Sequence, residues 1–342
     1  GNEARLLEVK NLKEYFTVRK NDKLHAVDDV SFYLNAGETF GVVGESGCGK
    51  STLGKVIVRL LEPTAGDVLF RGESVVGVRG AKYLEQCKKI QLIFQDPYSS
   101  LNPHKTIRQI LAEAYQVHGL KDKAALENKI NELIKSTGLE EYVLDRYPHE
   151  LDGGRRQLVG IARALSLEPE LIVCDEPVSS LDVSIQATII NLLMEVQKKR
   201  NVAYLFISHD ISVVKHISHR IAVMYLGQIV ELADTETMFE RTMHPYSISL
   251  LSAVPRVSFE SKKARLVLTG DVPSPINPGD GCRFASRCWM ADARCKKECP
   301  ALREVEPGHV VACHYADRSQ SEKEAYLQKL AMAEDVQAAE TI

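Results

Sequence analysis

The residues with the clearest chemical potential form a glycine-rich segment that ends in a lysine and a serine. Gly44–Ser51 reads GESGCGKS and fits the pattern G-x-x-x-x-G-K-S/T. Glycines let backbone N–H groups converge on phosphate oxygens, and the N-terminus of a following helix adds its dipole. Lys50 would reach the β- and γ-phosphates of a nucleotide, and the Ser51 hydroxyl would bind Mg²⁺. A plain glycine turn is the alternative, disfavoured because a predicted strand precedes the segment and a predicted helix follows it.

Two carboxylates end an apolar strand further along the chain, where Leu171–Glu176 reads LIVCDE. Ligands bind at the carboxyl ends of parallel strands, so this pair should face the loop at Lys50. Asp175 is placed to hold Mg²⁺ and Glu176 to polarise an attacking water, because phosphoryl transfer needs positioning and charge neutralisation. Alone, such a pair would more simply cap the next helix. Beside a phosphate loop, catalysis is favoured.

Further motifs occur in an order that resembles an ATP-binding cassette (ABC) ATPase. Gln95, at the end of a predicted strand over Gln91–Phe94, is similar to the family's Q-loop. Leu151–Arg155 stands at the position of the signature motif, Asp182 lies in a match to the D-loop, and His209 matches the switch histidine. The resemblance implies an α/β fold, a P-loop NTPase ABC cassette with a mixed β core, a RecA-like parallel sheet and an inserted α-helical subdomain.

The same resemblance implies how the site is divided between subunits. Two cassettes would pack head to tail, with each ATP between the phosphate loop of one and the signature of the other. The implied catalytic residues are Glu176, His209 and Gln95, and the implied Mg²⁺ ligands are Ser51, Gln95 and Asp175. The implied ATP-binding residues of the loop are Gly44, Ser46, Gly47, Cys48, Gly49, Lys50, Ser51 and Thr52. The residues implied to act across the dimer are Asp152, Gly153, Gly154, Arg155 and Asp182.

An aromatic residue near the N-terminus usually stacks on adenine in this family. Tyr15 is the first choice for that role and Phe16 is the second. The alternative is that both rings merely cover the edge of the sheet.

Four longer phrases resemble the ATPase subunits of oligopeptide/dipeptide importers. They are Gly44–Leu53, Gln95–Pro103, His244–Pro255 and Gly270–Pro278. Leu53–Pro63 is further similar to the second of the two paired ATPases of such importers. The resemblance implies an ATPase, converting ATP and water to ADP and phosphate, that energises import of di- and oligopeptides as a heterodimer with a second ATPase. Its other partners would be two transmembrane permease subunits and an extracytoplasmic peptide-binding protein, with the chain peripheral on the cytoplasmic face of the membrane.

Two other function classes are weighed against peptide import. One is a soluble ABC-type ATPase with a mechanical or regulatory role, whose members usually carry a long coiled coil or two cassettes in one chain. Here Thr52–Glu150 shows no sustained heptads, and the chain has one cassette. The other class is a redox-sensing iron–sulfur protein with a vestigial nucleotide site, which reduction-dependent ATPase activity would favour.

The signature segment departs from the family's Leu-Ser-Gly-Gly-Gln. Asp152 replaces the serine and Arg155 replaces the glutamine. In the family the serine hydroxyl donates to the γ-phosphate across the dimer, whereas a carboxylate would repel that phosphate by roughly 4 kcal/mol at about 4 Å. Arg155 could rotate to compensate, Asp152 could be held protonated, or the change could be neutral in a tolerant context. We predict functional asymmetry, in which this chain hydrolyses its own ATP only beside a partner with an intact signature.

Five of the eight cysteines lie close together near the C-terminal end. In a reducing compartment such a cluster indicates metal ligation before disulfides. No C-x₂-C pair is present, which disfavours zinc, whereas four thiolates can hold an iron–sulfur cluster. The importer resemblance implies a 4Fe–4S cluster held by Cys282, Cys288, Cys295 and Cys313, in a small C-terminal Cys-rich module. The alternative is a set of small buried apolar side chains.

The elements that must position these residues alternate between strands and helices. The predicted strands are Leu6–Val9, Ala26–Leu34, Thr39–Val43, Leu171–Cys174, Tyr204–Ser208, Ile221–Tyr225 and Gln228–Leu232. The predicted helices are Lys50–Leu61, Ile107–Val117, Leu126–Thr137 and Ile185–Lys198. A strand, a glycine loop and a helix indicate a βαβ unit and a parallel sheet.

Shifts in composition divide the chain into predicted domains. Residues 1–255 form the nucleotide-binding domain, with the helical subdomain over about 96–167. Residues 256–320 form the Cys-rich metal-cluster domain, which begins where prolines and glycines break regular structure. The polar, Ala-rich stretch 321–342 is predicted as a terminal helix or a frayed tail.

The overall composition excludes several classes of protein. Hydrophobic residues make up 44% and charged residues 26% of 342, which is typical of a globular protein and excludes a disordered or collagenous chain. A net charge of -3 argues against nucleic acid as a partner. No apolar run reaches the roughly 18 residues that span a bilayer, so we expect neither a membrane anchor nor a signal peptide.

Overall fold

The computed structural model describes residues 5–96, 100–252, 271–318, 321–322 and 324–326. The strands are β1 (Arg5–Arg19), β2 (Asp22–Asn35), β3 (Thr39–Val43), β4 (Ala65–Phe70), β5 (Glu73–Ser74), β6 (Ile90–Ile93), β7 (Leu171–Asp175), β8 (Ala203–Ile207), β9 (Arg220–Tyr225), β10 (Gln228–Asp234), β11 (Arg303–Glu306) and β12 (His309–Val311). The helices are α1 (Lys50–Ile57), α2 (Gly80–Lys89), α3 (Ile107–Val117), α4 (Lys123–Thr137), α5 (Gly153–Leu165), α6 (Val183–Arg200), α7 (Ile211–Ile217), α8 (Thr235–Glu240) and α9 (Pro245–Leu251). Within those ranges, no helix combines the length and the apolar character needed to cross a bilayer.

A mixed eight-stranded sheet carries the site, with strand order β11-β12-β10-β9-β3-β8-β7-β6. The pairs β6–β7, β7–β8, β3–β8 and β3–β9 are parallel. Every residue of β3, β7 and β8 is buried, as expected for central strands covered on both faces. The carboxyl ends of β3, β6, β7 and β8 therefore share one edge, as the sequence predicts for an α/β fold.

A second sheet, with strand order β2-β1-β4-β5, packs over α1 and the central strands. Leu7 and Leu12 of β1 and Val30 of β2 are fully buried in the core between the sheets. Leu53 and Ile57 of α1 lie in the same core. Burying one such side chain contributes about 1.5–3 kcal/mol, so α1 and its first residue are firmly placed.

The chain between β6 and β7 is mainly helical. α3 has the predicted bounds, and the buried faces of α3 and α4 show the predicted i, i+3, i+4 spacing. Thr106 forms a capping box with Gln109 at the start of α3, and Asp122 caps α4. Gly138 ends α4 with φ 71, a left-handed conformation that suits glycine. The boundaries of a helical subdomain stay a prediction.

One local boundary differs from the sequence prediction near the phosphate loop. α1 ends at Ile57 instead of Leu61 because Arg59 adopts φ 64, which α-helical backbone cannot continue through. The Arg59 guanidinium instead donates to the carbonyl oxygen of Val78 at 2.5 Å and to Gln86 Oε1 at 3.2 Å. The apolar periodicity after residue 57 therefore reflects a turn packed on the core.

Two short strands near the C-terminal end extend the main sheet. β12 pairs with β10, where Glu231 lies opposite Val311. A buried pair supports this junction, since His309 Nε2 lies 2.8 Å from Glu231 Oε1 and both side chains are 0% exposed. The predicted domain boundary at residue 255 and most of the predicted tail, 321–342, fall outside the described residues.

The prediction of a C-terminal iron–sulfur module is wrong. Among the described residues, no group of three or more His, Cys, Asp or Glu side chains is arranged to hold a metal ion. Cys282, Cys288, Cys295 and Cys313 instead line a cavity of about 20 Å³, room for about one water molecule. Burial raises the pKa of Cys282 to about 11 and that of Cys288 to about 12.

Candidate nucleotide site

The glycine-rich loop follows β3 and leads directly into α1. Gly49 has φ 99, and a Cβ at this position would lie 1.9 Å from the carbonyl oxygen of Ala26. Only glycine fits such a close approach of two backbone segments. Lys50 is the first residue of α1, so the N-terminus of the helix points into the concave side of the loop.

The Lys50 ammonium is buried over the loop. Its Nζ donates to the carbonyl oxygen of Gly44 at 2.8 Å and to that of Glu45 at 3.1 Å. Both acceptors are neutral, so the positive charge is available to an anionic ligand. Backbone N–H groups, a helix N-terminus and an ammonium in one loop form a donor set that suits phosphate.

A hydroxyl and a carboxylate meet beside the loop. Ser51 Oγ donates to Asp175 Oδ1 at 2.8 Å, joining α1 to the end of β7. Burial raises the pKa of Asp175, and the hydrogen bond from Ser51 opposes that shift. A bound cation would favour the ionised carboxylate further, and oxygen ligands are those that Mg²⁺ prefers. The pair therefore fits a magnesium site.

Two side chains that the sequence singles out, His209 and Gln95, contact the same carboxylate oxygen of a third, Glu176. His209 Nδ1 lies 2.9 Å from Glu176 Oε2, and Gln95 Nε2 donates to the same oxygen at 3.4 Å. Glu176 has φ 47, an uncommon backbone conformation for a residue with a side chain. Its N–H donates to the carbonyl oxygen of Ile207 at 2.8 Å, which anchors this turn to β8. A strained residue fixed in this way is typical of a functional position.

A cavity of about 320 Å³ lies between the phosphate loop and the side chains of Gln95 and Glu176. The residues that line its loop side and its carboxylate side are Ser46, Gly47, Gly49, Lys50, Ser51, Thr52, Gln95 and Glu176. The opposite wall consists of Phe16, Leu24, His25, Ala26, Leu226, Gly227 and Pro275. The cavity has a polar, cationic end and a mainly apolar end, which suits a phosphorylated ligand with a flat ring.

The two aromatic candidates near the N-terminus point in different directions, as neighbouring residues of a strand do. Phe16 lines the cavity. Tyr15 stacks on His25 with ring centroids 3.9 Å apart, and its hydroxyl donates to Asp28 Oδ1. Of the two, Phe16, the second choice from sequence, is therefore the residue that lines the cavity.

Sequence reasoning missed part of the wall. Pro275 reaches the cavity from the C-terminal part of the chain, where its carbonyl oxygen accepts from the His25 N–H at 3.1 Å. The phrase Gly270–Pro278 stands out in the sequence, but no spacing rule places it beside residues 250 positions earlier. Only the fold brings the two segments together.

The signature segment lies outside the wall of this cavity and forms the start of α5. A Cβ on Gly154 would lie 2.9 Å from the Ile185 side chain, so the segment packs closely on α6, which Asp182 directly precedes. Asp152 is the N-cap of α5, and its Oδ1 accepts from the Arg155 N–H at 2.8 Å. Aspartate and serine are both good N-caps, so this substitution preserves the helix start.

The charge at the signature is settled by its local partners. The hydrogen bond from the Arg155 N–H lowers the pKa of Asp152, and the Arg155 guanidinium adds to that effect. The same guanidinium donates to Glu140 Oε2 at 3.0 Å. Asp152 is therefore ionised. The single positive charge of Arg155 is shared between the carboxylates of Asp152 and Glu140, so the three side chains together carry a net negative charge.

Comparisons with known proteins agree with this geometry. A family model described as ABC transporter matches residues 27–179, and one described as oligopeptide/dipeptide transporter, C-terminal region, matches residues 230–295. The oligopeptide transport ATP-binding protein AppF of Bacillus subtilis is 48% identical over 323 residues, covering 92% of this chain and 98% of that protein. A putative peptide import ATP-binding protein of Brucella ovis is 45% identical over 311 residues, covering 91% of this chain and 98% of that protein.

Solved structures show the same fold. An ATP-binding cassette in a dimeric post-hydrolysis state, bound to ADP and Pi, has a TM-score of 0.62 and 25% identity, covering 67% of this chain and 98% of that one. The cbiO1 protein of Clostridium perfringens, part of an ABC transporter complex, has a TM-score of 0.60 and 26% identity, covering 69% and 91% of the two chains.

Proposed function

This chain belongs to the ABC transporter family, among the oligopeptide transport ATP-binding proteins, and we propose that it hydrolyses ATP in the cavity at Lys50 and Glu176 to energise peptide import. The observation that carries the proposal is the convergence of Lys50, the Ser51–Asp175 pair and Glu176 on one cavity of about 320 Å³. The relatives' names support transport and give no support to a free-standing mechanical or redox-regulatory ATPase.

The residues of the loop fit the phosphates of ATP. The N–H groups of Ser46, Gly47 and Gly49 and the Lys50 ammonium would hold the phosphate oxygens, and Ser51, Asp175 and Gln95 would hold Mg²⁺. Bound in this way, MgATP supplies the transferable γ-phosphoryl group and a cation that neutralises developing charge. Lys50 would exchange its contacts with the Gly44 and Glu45 carbonyls for the ligand.

The residues around Glu176 fit the activation of water. Its carboxylate would accept a proton from the attacking water, and a base that is held in place needs no reorganisation during the reaction. His209 and Gln95, which contact Oε2, would orient this carboxylate. Through Gln95, a change in the occupancy of the site would reach the helices that follow Gln95 in the chain. The contact of both side chains with the same Glu176 oxygen supports the catalytic roles predicted for all three residues from sequence.

Membership of this family implies an ATPase dimer and membrane permease partners. The position of the signature outside its own cavity supports a second cassette, because each cavity then needs a signature from elsewhere. We propose a heterodimer with a second ATPase, two transmembrane permeases and an extracytoplasmic peptide-binding protein, with this chain peripheral at the cytoplasmic face. The negative group at Asp152, Arg155 and Glu140 supports a functional asymmetry, in which this chain presents a poor signature to its partner's ATP.

The proposed function is tested by transport in vesicles that contain the permeases, both ATPases and the binding protein. With a labelled peptide outside, we expect uptake above the passive leak only when MgATP is enclosed on the ATPase side. ADP in place of ATP is the control. If the ATPases hydrolyse ATP but peptide uptake is the same with ATP and with ADP, the proposed link between hydrolysis and transport is wrong.

A first prediction concerns the apolar end of the cavity. Phe16→Ala should weaken binding of MgATP about tenfold, because stacking of a base on an aromatic ring contributes about 1–3 kcal/mol. Equilibrium titration with a fluorescent ATP analogue measures the effect. Tyr15→Phe is the matched control, since it removes only the hydroxyl bound to Asp28 and should change affinity by less than about twofold. An unchanged affinity in the Phe16 variant would contradict this assignment.

A further inference from the structure

An arginine from the C-terminal part of the chain is bound to the phosphate loop. Arg287 donates to both carboxylate oxygens of Glu45, from Nη1 at 2.8 Å and from Nη2 at 3.1 Å. The Arg287 side chain is 5% exposed. Two parallel hydrogen bonds between a guanidinium and a carboxylate fix the relative orientation of both groups. No pattern in the sequence links these residues, which are 242 positions apart.

Glu45 belongs to the loop and is held at three points. Its N–H donates to the Tyr246 hydroxyl at 2.8 Å, and its carbonyl oxygen accepts from Lys50 Nζ at 3.1 Å. Arg287 holds the side chain. Glu45 itself is not among the residues that line the cavity, so these contacts set the shape of the loop and leave its concave side open to a ligand.

The arginine is in turn fixed by an aromatic cluster. Phe284, three residues earlier, is 1% exposed and packs on Tyr225, Tyr246 and His244, with ring centroids 5.3, 5.5 and 5.8 Å apart. The Tyr225 hydroxyl lies 3.4 Å from the Arg287 guanidinium. Arg287 is therefore held in place by buried aromatic side chains and is not a mobile surface residue.

The same segment contacts two other sides of the nucleotide site. Arg283 pairs with Asp28, the residue that accepts from Tyr15, and donates to the Leu226 carbonyl. Pro275 lines the apolar wall. Three separate contacts from residues 275–287 therefore surround one cavity.

We propose that Arg287 is a positioning residue for ATP binding, which holds the phosphate loop in its binding conformation through Glu45. The inference rests on the proposed ATP site. A loop held in advance loses less freedom when a ligand binds, so removal of the clamp lowers affinity without touching a ligand-binding group. The effect falls on binding and not on the chemistry at Glu176, which directly follows β7 and is not part of this loop.

The test is a double-mutant cycle on the full chain, with equilibrium binding of MgATP as the readout. Arg287→Gln and Glu45→Gln should each raise the Kd about tenfold, and the double variant should be no weaker than either single one. Arg294→Gln is the matched control, because it breaks an exposed pair with Glu298 in the same part of the chain and should leave the Kd unchanged. Thermal melting without nucleotide verifies that each variant is folded at the titration temperature.

Each outcome is decisive. Coupled losses in the cycle support the clamp, since they show that the two residues act on the Kd through their pair. Additive losses, or an unchanged Kd in Glu45→Gln, overturn it. If Arg287→Gln does not fold, the Kd of Glu45→Gln alone decides. Wild-type chain that fails to bind MgATP would overturn the proposed function and this inference with it, whereas wild-type binding with unaffected variants overturns the inference alone.

Discussion

Glu176→Gln is expected to lower ATP turnover about a thousandfold while MgATP still binds. The amide keeps the size of the side chain and can still contact His209 and Gln95, but it cannot take a proton from water. Loss of a positioned general base costs about 10²–10⁴-fold in rate. Phosphate release by the assembled transporter measures turnover, and titration with the fluorescent ATP analogue measures binding.

The matched control for this variant is Glu170→Gln. Glu170 directly precedes β7, at the opposite end of the strand from Glu176, and pairs with Arg71 and Lys89. Glu170→Gln changes the net charge by the same amount as Glu176→Gln and should leave turnover within about twofold of the wild-type value. If Glu176→Gln hydrolyses ATP at the wild-type rate, the Glu176 carboxylate is not the general base.

The second large effect is expected at the signature. Asp152→Ser combined with Arg155→Gln should raise the ATP turnover of this chain alone at least thirtyfold. Alone, each phosphate loop can meet only a copy of the same signature, whose ionised Asp152 would repel the γ-phosphate by up to roughly 4 kcal/mol at a separation of about 4 Å. The Arg155 guanidinium offsets only part of this, because it also binds Glu140.

The signature variant has a matched control on another helix. Asp122 caps α4 as Asp152 caps α5, so Asp122→Ser makes the same change of residue away from the signature. Its turnover should equal that of the wild type. Brisk turnover by the unmodified chain alone would defeat the asymmetry, and so would a double variant that stays as slow as the wild type although both bind MgATP.

The parts of the site that follow from sequence are those set by local rules. The loop sequence at Gly44–Ser51 and the carboxylates at the end of β7 have spacings that predict their roles, and parallel strands bring their ends to one edge. The helix over Ile107–Val117 has the predicted bounds because its apolar period and its capping box at Thr106 agree. In such places local preference and tertiary packing point to the same structure.

The parts that sequence did not reveal depend on packing between distant segments. Tyr15 and Phe16 are adjacent and aromatic, and only the twist and register of β1 decide which of them faces the cavity. Contacts of Pro275 and Arg287 with the nucleotide site carry no local signal at all. The choice between a protonated and an ionised Asp152 likewise needed the position of the Arg155 N–H.

The cysteines illustrate the limit of arguments from residue type. Their number and their grouping suggested a metal cluster, but ligation depends on ionisation and on the arrangement of the sulfur atoms. Burial raises the pKa of Cys282, Cys288 and Cys313, and these side chains line a cavity of about 20 Å³. Among the residues that the structure describes, no group of three or more such side chains has that arrangement.

The most direct test of the central claim is a structure of the Glu176→Gln variant with MgATP. We predict the γ-phosphate against Lys50 Nζ, Mg²⁺ on Ser51 and Asp175, and the adenine on Phe16, all within the cavity described above. Nucleotide bound elsewhere, or Lys50 and residue 176 on opposite sides of an empty cavity, would contradict the account.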